Sequence, residues 1–150
     1  MIFRKAVRED LPCIIEMLAN DFLGMQREKY ETPLPQSYYD FFDKINSDSN
    51  QELITAELDG EIAGTMQLTF IPNLNYGGSM RLLIESVRIK EGLTGNGYGS
   101  LMINYAIERG KEKNCRIVQL TSDKRRKDAL RFYEKLGFKA THEGMKLHLY

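Results

Sequence analysis

The residue types that could do chemistry are concentrated in one central stretch, residues 81–108, where a strand-like run leads through a glycine-rich turn into a helical pattern. Three glycines, Gly95, Gly97 and Gly99, stand at alternate positions of that turn. Glycine lets a backbone approach a bulky ligand closely. The N-terminus of the following helix offers unpaired N–H donors and roughly half a positive charge. The turn is therefore predicted to bind a phosphate or pyrophosphate.

Two common glycine-rich loops do not fit this turn. The nucleoside-triphosphate loop requires a lysine followed by serine or threonine after its last glycine, whereas Ser100 and Leu101 follow Gly99. The dinucleotide fingerprint places its third glycine three residues after the second and lies near the start of its domain. Here the glycines are more closely spaced and the turn is central, so the ligand is a different phosphate compound.

Length and charge limit the classes of protein that this chain could represent. Its 150 residues suit one domain, 1–150, which is large enough to bury a core of its own. The 21 basic and 21 acidic residues balance, so no global field would recruit nucleic acid or an anionic membrane. Two cysteines without metal-ligand spacing, no apolar run of about 18 residues and no recognisable signal peptide favour a cytoplasmic location without a metal centre.

The hydrophobic periodicities predict, in order, a strand, two helices, three strands, a helix, a strand, a helix and two closing strands. The first helix is expected to run toward Phe22, and Asp59-Gly60 is a strong hairpin signal between two strand-like runs. The closing strands are predicted at residues 138–141 and 145–149, the second from its alternating apolar residues. Exposed terminal strands would make a homodimer plausible. This order of elements favours an α/β or α+β class.

Aromatic residues are frequent between the first two predicted helices, where prolines interrupt the pattern. A loop of this kind beside a cofactor groove is a natural wall for a substrate pocket. Tyr30 and Tyr38 are the candidate substrate-binding residues. Packing against the second helix is the alternative for each ring.

Two motifs resemble the signatures of one known family. Residues 94–99, TGNGYG, resemble the R/Q-x-x-G-x-G/A signature of the GNAT superfamily of N-acetyltransferases, with Thr94 in the place of the usual Arg or Gln. Residues 129–138, ALRFYEKLGF, resemble the second signature of that superfamily, at the expected distance along the chain. The likeness extends over essentially the whole chain. A closer likeness is to small bacterial members such as the aminoalkylphosphonate N-acetyltransferases.

The resemblance implies a fold and a set of binding residues. The fold is a mixed, mostly antiparallel sheet of about seven strands flanked by about four helices. The activity is transfer of the acetyl group of acetyl-CoA to a primary amine in a ternary complex, without a metal ion. The residues that the resemblance assigns to acetyl-CoA are Val87, Arg88, Ile89, Thr94, Gly95, Asn96, Gly97, Tyr98, Gly99, Ser100 and Arg126.

The same resemblance assigns catalytic roles to two side chains. Tyr133 matches the tyrosine that points at the cofactor sulfur, and a phenol with a pKa near 10 can donate to a departing thiolate with a pKa near 8.5. Glu85 lies where relatives carry a strand acid, and it is the candidate base or the start of a water relay for the ammonium proton. Packing of Tyr133 on the sheet and a surface role for Glu85 are the alternatives from spacing alone.

Several alternatives stay open from the sequence. The basic run at residues 124–127 could contact a phosphorylated substrate or the ribose phosphate, although such a run is usually a solvated turn. His142 or His148 could act as a base near the acceptor. The acceptor is predicted to be a small-molecule amine. Acetylation of a protein lysine or N-terminus, or a non-catalytic acyl-CoA sensor, are the other hypotheses.

Overall fold

The structure is a computed structural model that describes residues 1–21 and 23–149. Within these residues a five-stranded sheet is flanked by four α-helices, with short 3-10 turns before and after the first helix. The strands are β1 (Ile2–Lys5), β2 (Gln51–Leu58), β3 (Glu61–Asn73), β4 (Ser79–Ile89) and β5 (Cys115–Leu120), and the helices are α1 (Leu11–Ala19), α2 (Gln36–Ser47), α3 (Tyr98–Glu112) and α4 (Lys127–Lys135). The mixed α/β class with about four helices is confirmed.

The sheet keeps the order of the chain, β1-β2-β3-β4-β5. The first four strands pair antiparallel, and only β4 and β5 run parallel. A parallel neighbour needs a crossover, because the chain must return to the starting end of the sheet. Helix α3 is that crossover, so the glycine turn must lie at the end of β4, where the chain leaves the sheet.

The core is divided between the two faces of the sheet. Ile54 belongs to a cluster with residues of α3, whereas its neighbour Leu53 packs on a cluster built by α1 and α2. Successive strand residues point to opposite faces, so α1 and α2 cover one face while α3 covers the other. The fully buried members on the α3 side include Met66, Leu82 and Met102.

The hairpin signal is confirmed at the junction of β2 and β3. Asp59 and Gly60 both have positive φ, 54° and 84°. Two successive left-handed residues form the type I′ turn, whose twist matches that of the flanking strands. The long β2–β3 hairpin thus follows directly from a dipeptide in the sequence.

The number of strands in the described sheet, five, is smaller than the predicted number of about seven. The prediction of strands at residues 138–141 and 145–149 is wrong, because neither segment pairs with the described part of the sheet. Met145, Leu147 and Leu149 are 94%, 86% and 77% exposed. The alternation of apolar and polar residues predicts one face that could be buried. A strand forms, however, only where it can pair with the unpaired edge of a neighbouring strand. The expectation of a homodimer stays a prediction.

Helix α1 is confirmed, but it ends at Ala19. Phe22, toward which the helical pattern was expected to run, lies outside the described residues. Across the part of the chain that is described, no helix combines the length and the apolar character required to cross a bilayer.

We predict that Gly64→Ala destabilises the fold. A Cβ at residue 64 would lie 2.8 Å from Met102 Sδ, 2.9 Å from the Arg88 carbonyl oxygen and 3.2 Å from Ile89 Cδ1. Overpacking of this kind costs about 1–3 kcal/mol of unfolding free energy, which urea denaturation measures. The matched control is Gly144→Ala, where the nearest atom is 3.9 Å away. Equal midpoints for the two variants would contradict the close packing of β3 on β4 and α3.

Candidate functional site

Strand β4 extends beyond its parallel neighbour. The last pair between β4 and β5 joins Ile84 to Leu120, and β4 continues to Ile89 with β3 alone beside it. Lys90 N–H donates to the Ala63 carbonyl at 2.8 Å, so the N–H and C=O of Ile89 point away from β3. A gap thus opens between β4 and the chain that follows β5, and main-chain groups of β4 line it.

A β-bulge lies on β4 at the edge of this gap. Glu85 pairs with Gln67 and Arg88 pairs with Thr65, so two residues of β4 stand opposite one of β3. Ser86, inside the bulge, has φ 54°. Left-handed backbone is unfavourable for a residue with a Cβ, and such strained positions persist only where the surroundings hold them.

The bulge changes which side chains share a face of the sheet. Glu85 and Arg88 are three residues apart and would point to opposite faces of a regular strand. Their partners Gln67 and Thr65 are two apart, and residues directly across a ladder share a face. Both side chains therefore lie on the face that α1 and α2 cover, opposite to that of buried Met66.

The glycine turn lies at the start of α3, as the sequence predicts. Gly95 and Gly97 have φ of 84° and 81°, and no atom lies within 4 Å of the position that a Cβ would take on either residue. Gly97 precedes the first residue of α3, and no side chain caps this helix end. Thr94 and Asn96 are exposed, and the Asn96 amide donates to the Leu93 carbonyl at 3.2 Å. The approach to the backbone of the turn is open.

Gly99 has a different role from the two glycines before it. A Cβ on Gly99 would lie 3.2 Å from Cζ of Phe132. The absence of a side chain therefore lets α4 pack directly on the first turn of α3. Tyr98 and Ser100, on either side, are half-buried.

This contact packs the helix that carries Tyr133 against the glycine turn. Its ring packs edge-to-face against Phe132 and Phe138, with ring centroids 5.0 and 5.9 Å apart. Burial raises the pKa of the Tyr133 phenol above its ordinary value, while the charges of Arg126 and Arg88 lower it. The phenol is therefore protonated at neutral pH, and two guanidinium groups lie within electrostatic reach of it.

Those two guanidinium groups meet at Asp21, a residue that sequence reasoning did not single out. Arg88 Nη2 donates to Asp21 Oδ2 at 2.7 Å, and Arg126 Nη2 donates to the same oxygen. Arg88 Nη1 also donates to the Val87 carbonyl at 2.8 Å. The end of α1, the end of β4 and the start of α4 are thereby joined by one ion cluster beside Tyr133.

The two tyrosines predicted to contact substrate occupy different environments. Tyr38 lines an open pocket of about 440 Å³ with residues of the α1–α2 connection and α2, whereas Tyr30 is exposed and is not part of its lining. Tyr38 Oη accepts from Lys29 N–H at 2.9 Å and contacts Glu28 Oε2 at 3.2 Å. Tyr38 therefore also anchors the connection to α2. The remaining lining residues are Arg27, Lys29, Pro35, Ser37 and Phe41.

Sequence reasoning missed Asp21 and the bulge for identifiable reasons. Asp21 is 67 residues from Arg88 and 105 from Arg126, so no local pattern connects them. Ser86 sits in a strand-like run with no glycine to indicate a left-handed residue. The family resemblance named Arg88 and Arg126, and the basic run at residues 124–127 includes Arg126, but neither signal indicated the carboxylate that joins the two arginines.

The family of the protein follows from comparison with known sequences. Residues 15–138 match the Acetyltransferase (GNAT) family, which includes both the glycine turn and the helix that carries Tyr133. The chain belongs to this family.

Individual relatives agree with this assignment. A crystal structure from Bacillus halodurans C-125, described as a transcriptional regulator, is 52% identical over 99% of both chains, with a TM-score of 0.96. Glucosamine 6-phosphate N-acetyltransferase of Trypanosoma brucei brucei is 36% identical over 90 residues, 60% of this chain and 59% of that protein. Aminoalkylphosphonate N-acetyltransferase of Salmonella typhimurium is 26% identical over 107 residues, 71% and 69% of the two chains. The chain thus spans about three fifths of the first of these two curated relatives.

We predict that Ser86→Val weakens the fold more than Ser86→Gly. A β-branched residue is strained at φ 54°, whereas glycine adopts it freely. Because serine already carries a Cβ at this φ, only the added β-branch counts, and the valine variant should lose about 1 kcal/mol of unfolding free energy, measured by urea denaturation. The glycine variant is the control and should stay within about 0.5 kcal/mol of the wild type. If both variants unfold at the same urea concentration, the bulge is not held at this residue.

Proposed function

We propose that the protein is an enzyme that transfers the acetyl group of acetyl-CoA to a primary amine of a small molecule. The observation that carries this proposal is the junction of an open glycine turn, an uncapped helix N-terminus and the gap beside β4 within one GNAT domain. Each of these three features suits a different part of the same ligand.

The residues present fit acetyl-CoA. The backbone of residues 95–99 offers N–H donors at a positive helix end, which suits a diphosphate, whereas the Ser100 N–H already donates to the Gly97 carbonyl at 3.0 Å. The main chain of Val87 and Ile89 at the gap can pair with an extended amide-bearing arm as an added strand would. Thr94 and Arg126 remain proposed contacts, although Arg126 is also bound to Asp21.

The reaction forms a bond between the amine nitrogen and the acetyl carbon, and it breaks the bond between that carbon and the thioester sulfur. Acetyl-CoA supplies the activated acyl group. Glu85 accepts the ammonium proton, directly or through water, because an amine with a pKa near 10.4 is almost fully protonated at pH 7. Tyr133 donates its proton to the departing thiolate, and the second proton that the nitrogen releases as the amide forms returns to Tyr133 directly or through water. Positioning of the two reactants supplies the larger share of the rate, up to about 7–11 kcal/mol in favourable cases.

The small-molecule acceptor is supported by the relatives and by the pocket. The Trypanosoma and Salmonella enzymes are named for small amines that also carry a phosphoryl or phosphonyl group. The pocket beside Tyr38, about 440 Å³ in volume, has the size of a small-ligand site.

A second candidate is a sensor that binds acyl-CoA without turnover. The description of the Bacillus halodurans relative as a transcriptional regulator supports it. Tyr133 and Glu85, one placed beside the glycine turn and the other exposed on the α1–α2 side of β4, support catalysis instead. An acceptor screen that follows release of free thiol from acetyl-CoA separates the two candidates, since a sensor binds the thioester and releases no thiol.

We predict that Tyr133→Phe lowers kcat by about 10²-fold and leaves the Kd for acetyl-CoA unchanged. The variant removes only the phenol oxygen, so the leaving thiolate loses its proton donor while the packing of the ring stays. Because burial raises the pKa of Tyr133, wild-type kcat should not decline on this account until the pH exceeds about 10. Steady-state kinetics and calorimetric titration with coenzyme A provide the two measurements.

The control for this prediction is Tyr105→Phe. Tyr105 is a half-buried tyrosine of α3 that stacks on Phe3 with ring centroids 4.4 Å apart, and burial raises its pKa too. Loss of this hydroxyl should leave kcat within about twofold of the wild-type value. Equal rates for Tyr133→Phe and Tyr105→Phe would remove Tyr133 from the mechanism.

We predict that Glu85→Gln makes the reaction depend on the small neutral fraction of the amine. The value of kcat/KM at pH 7 should fall by about 10²–10⁴-fold. It should then rise about tenfold per pH unit up to the pKa of the amine, because only the free base can attack. The pH dependence of kcat/KM tests this, with Glu91→Gln, an exposed glutamate beyond β4, as the control. If Glu85→Gln instead lowers kcat/KM by the same factor at every pH, Glu85 acts in binding and not in proton transfer.

A further inference from the structure

Arg88 is a side chain whose hydrogen-bonding capacity is only partly used. Its side chain, on β4, is 16% exposed, and the side chain of its partner Asp21 is 10% exposed. Nη1 and Nη2 have acceptors in the Val87 carbonyl and the Asp21 carboxylate, but Nε is buried without one among the described residues. A buried donor that lacks a partner destabilises the fold. Such a group calls for an explanation beyond folding.

The electrostatic surroundings of Arg88 are also unbalanced. Asp21 is the single carboxylate that Arg88 contacts in the described chain, and it shares this carboxylate oxygen with Arg126. Burial lowers the pKa of Arg88; Asp21 raises it, and the charges of Arg126 and Arg27 lower it further. Another anion at this position would stabilise the charged guanidinium.

The location of Arg88 connects it to the proposed acceptor side. Arg27, which is close enough to influence Arg88, lines the 440 Å³ pocket together with Lys29 and Tyr38. Arg88 is also one of the two cations that act on the Tyr133 phenol. The guanidinium is therefore within electrostatic reach of Arg27, which lines the open pocket, and of Tyr133, which is proposed to protonate the leaving group.

The bulge on β4 places two oppositely charged side chains on this side of the site. It puts Glu85 and Arg88 on the same face of the sheet as their cross-strand partners, Gln67 and Thr65. One carboxylate and one guanidinium on the same face of one strand are complementary in charge to a molecule that carries both an ammonium and an anionic group.

We propose that Arg88, oriented by Asp21, binds an anionic group of the acceptor, so that the acceptor class is a zwitterionic amine bearing a phosphoryl, phosphonyl or carboxylate group. The ammonium end lies toward Glu85 and the anionic end toward the guanidinium, which donates charge-assisted hydrogen bonds. Asp21 acts as a positioning residue. This inference rests on the proposed acetyl transfer for its substrate, but the anion site itself can be tested without turnover.

The kinetic test compares matched acceptors in the wild type and in Arg88→Gln. O-phosphoethanolamine and 2-aminoethylphosphonate carry a dianionic group, β-alanine carries a carboxylate, and ethanolamine carries no anion. The wild type should favour at least one anionic acceptor over ethanolamine by about 10–100-fold in kcat/KM, the value of one or two charged hydrogen bonds. Arg88→Gln should lower that preference to about threefold or less. The preferred anionic acceptor identifies the group that is bound.

Two further variants separate anion binding from stability. Arg88→Lys keeps the charge but loses the planar fork, so it should retain an intermediate preference and provides the test if Arg88→Gln does not fold. Arg8→Gln removes another arginine–aspartate pair, Arg8 Nη1 to Asp43 Oδ2 at 2.8 Å, on an exposed surface. This control should leave the preference for anionic acceptors unchanged.

A binding measurement distinguishes failure of this inference from failure of the proposed function. Calorimetric titration with O-phosphoethanolamine, 2-aminoethylphosphonate and β-alanine needs no acetyl-CoA. If no amine is acetylated but the wild type binds one of these anions and Arg88→Gln does not, the proposed function fails and the anion site stands. If ethanolamine is acetylated as well as all three anionic acceptors, the anion site is wrong and acetyl transfer stands. The anion site is also wrong if Arg88→Gln weakens acetyl-CoA binding and leaves the acceptor preference unchanged.

Discussion

The early end of the β4–β5 ladder is the constraint on which the site depends. Parallel pairing stops at Ile84 and Leu120, while β4 continues to Ile89. An exposed row of unpaired N–H and C=O groups is unfavourable inside a folded domain unless water, protein or ligand satisfies it. The same gap that would be a defect in a structural sheet is here the place where an extended ligand can bind.

The bulge at Ser86 and the cluster at Asp21 depend on this arrangement. The bulge redirects the last part of β4, so that Val87 and Ile89 pack toward α3 while Glu85 and Arg88 face α1 and α2. Asp21 then connects β4 to α1 and α4 through two guanidinium groups. A single strand thus presents its main chain at the gap beside β5 and two charged side chains on the face covered by α1 and α2.

The glycine turn shows how one short motif combines two physical requirements. Gly95 and Gly97 are needed for their positive φ and open approach, whereas Gly99 is needed because Phe132 packs against it. The two sequence motifs, far apart along the chain, meet at this contact. The contact between them is the packing of α4 on α3.

The sequence by itself determined the order of elements up to α4, the hairpin at Asp59-Gly60, the helix behind the glycine turn and the resemblance that made Tyr133 and Glu85 candidates. These follow from local periodicity, from turn chemistry and from motifs of a few residues. The tertiary structure alone decided that residues 138–141 and 145–149 form no strand in the described sheet, because pairing needs an available edge and not only an alternating pattern. It also decided the role of Asp21 and the shared face of Glu85 and Arg88. An ion pair that spans 67 residues and a bulge at a serine have no local signature, since both arise from how distant segments pack.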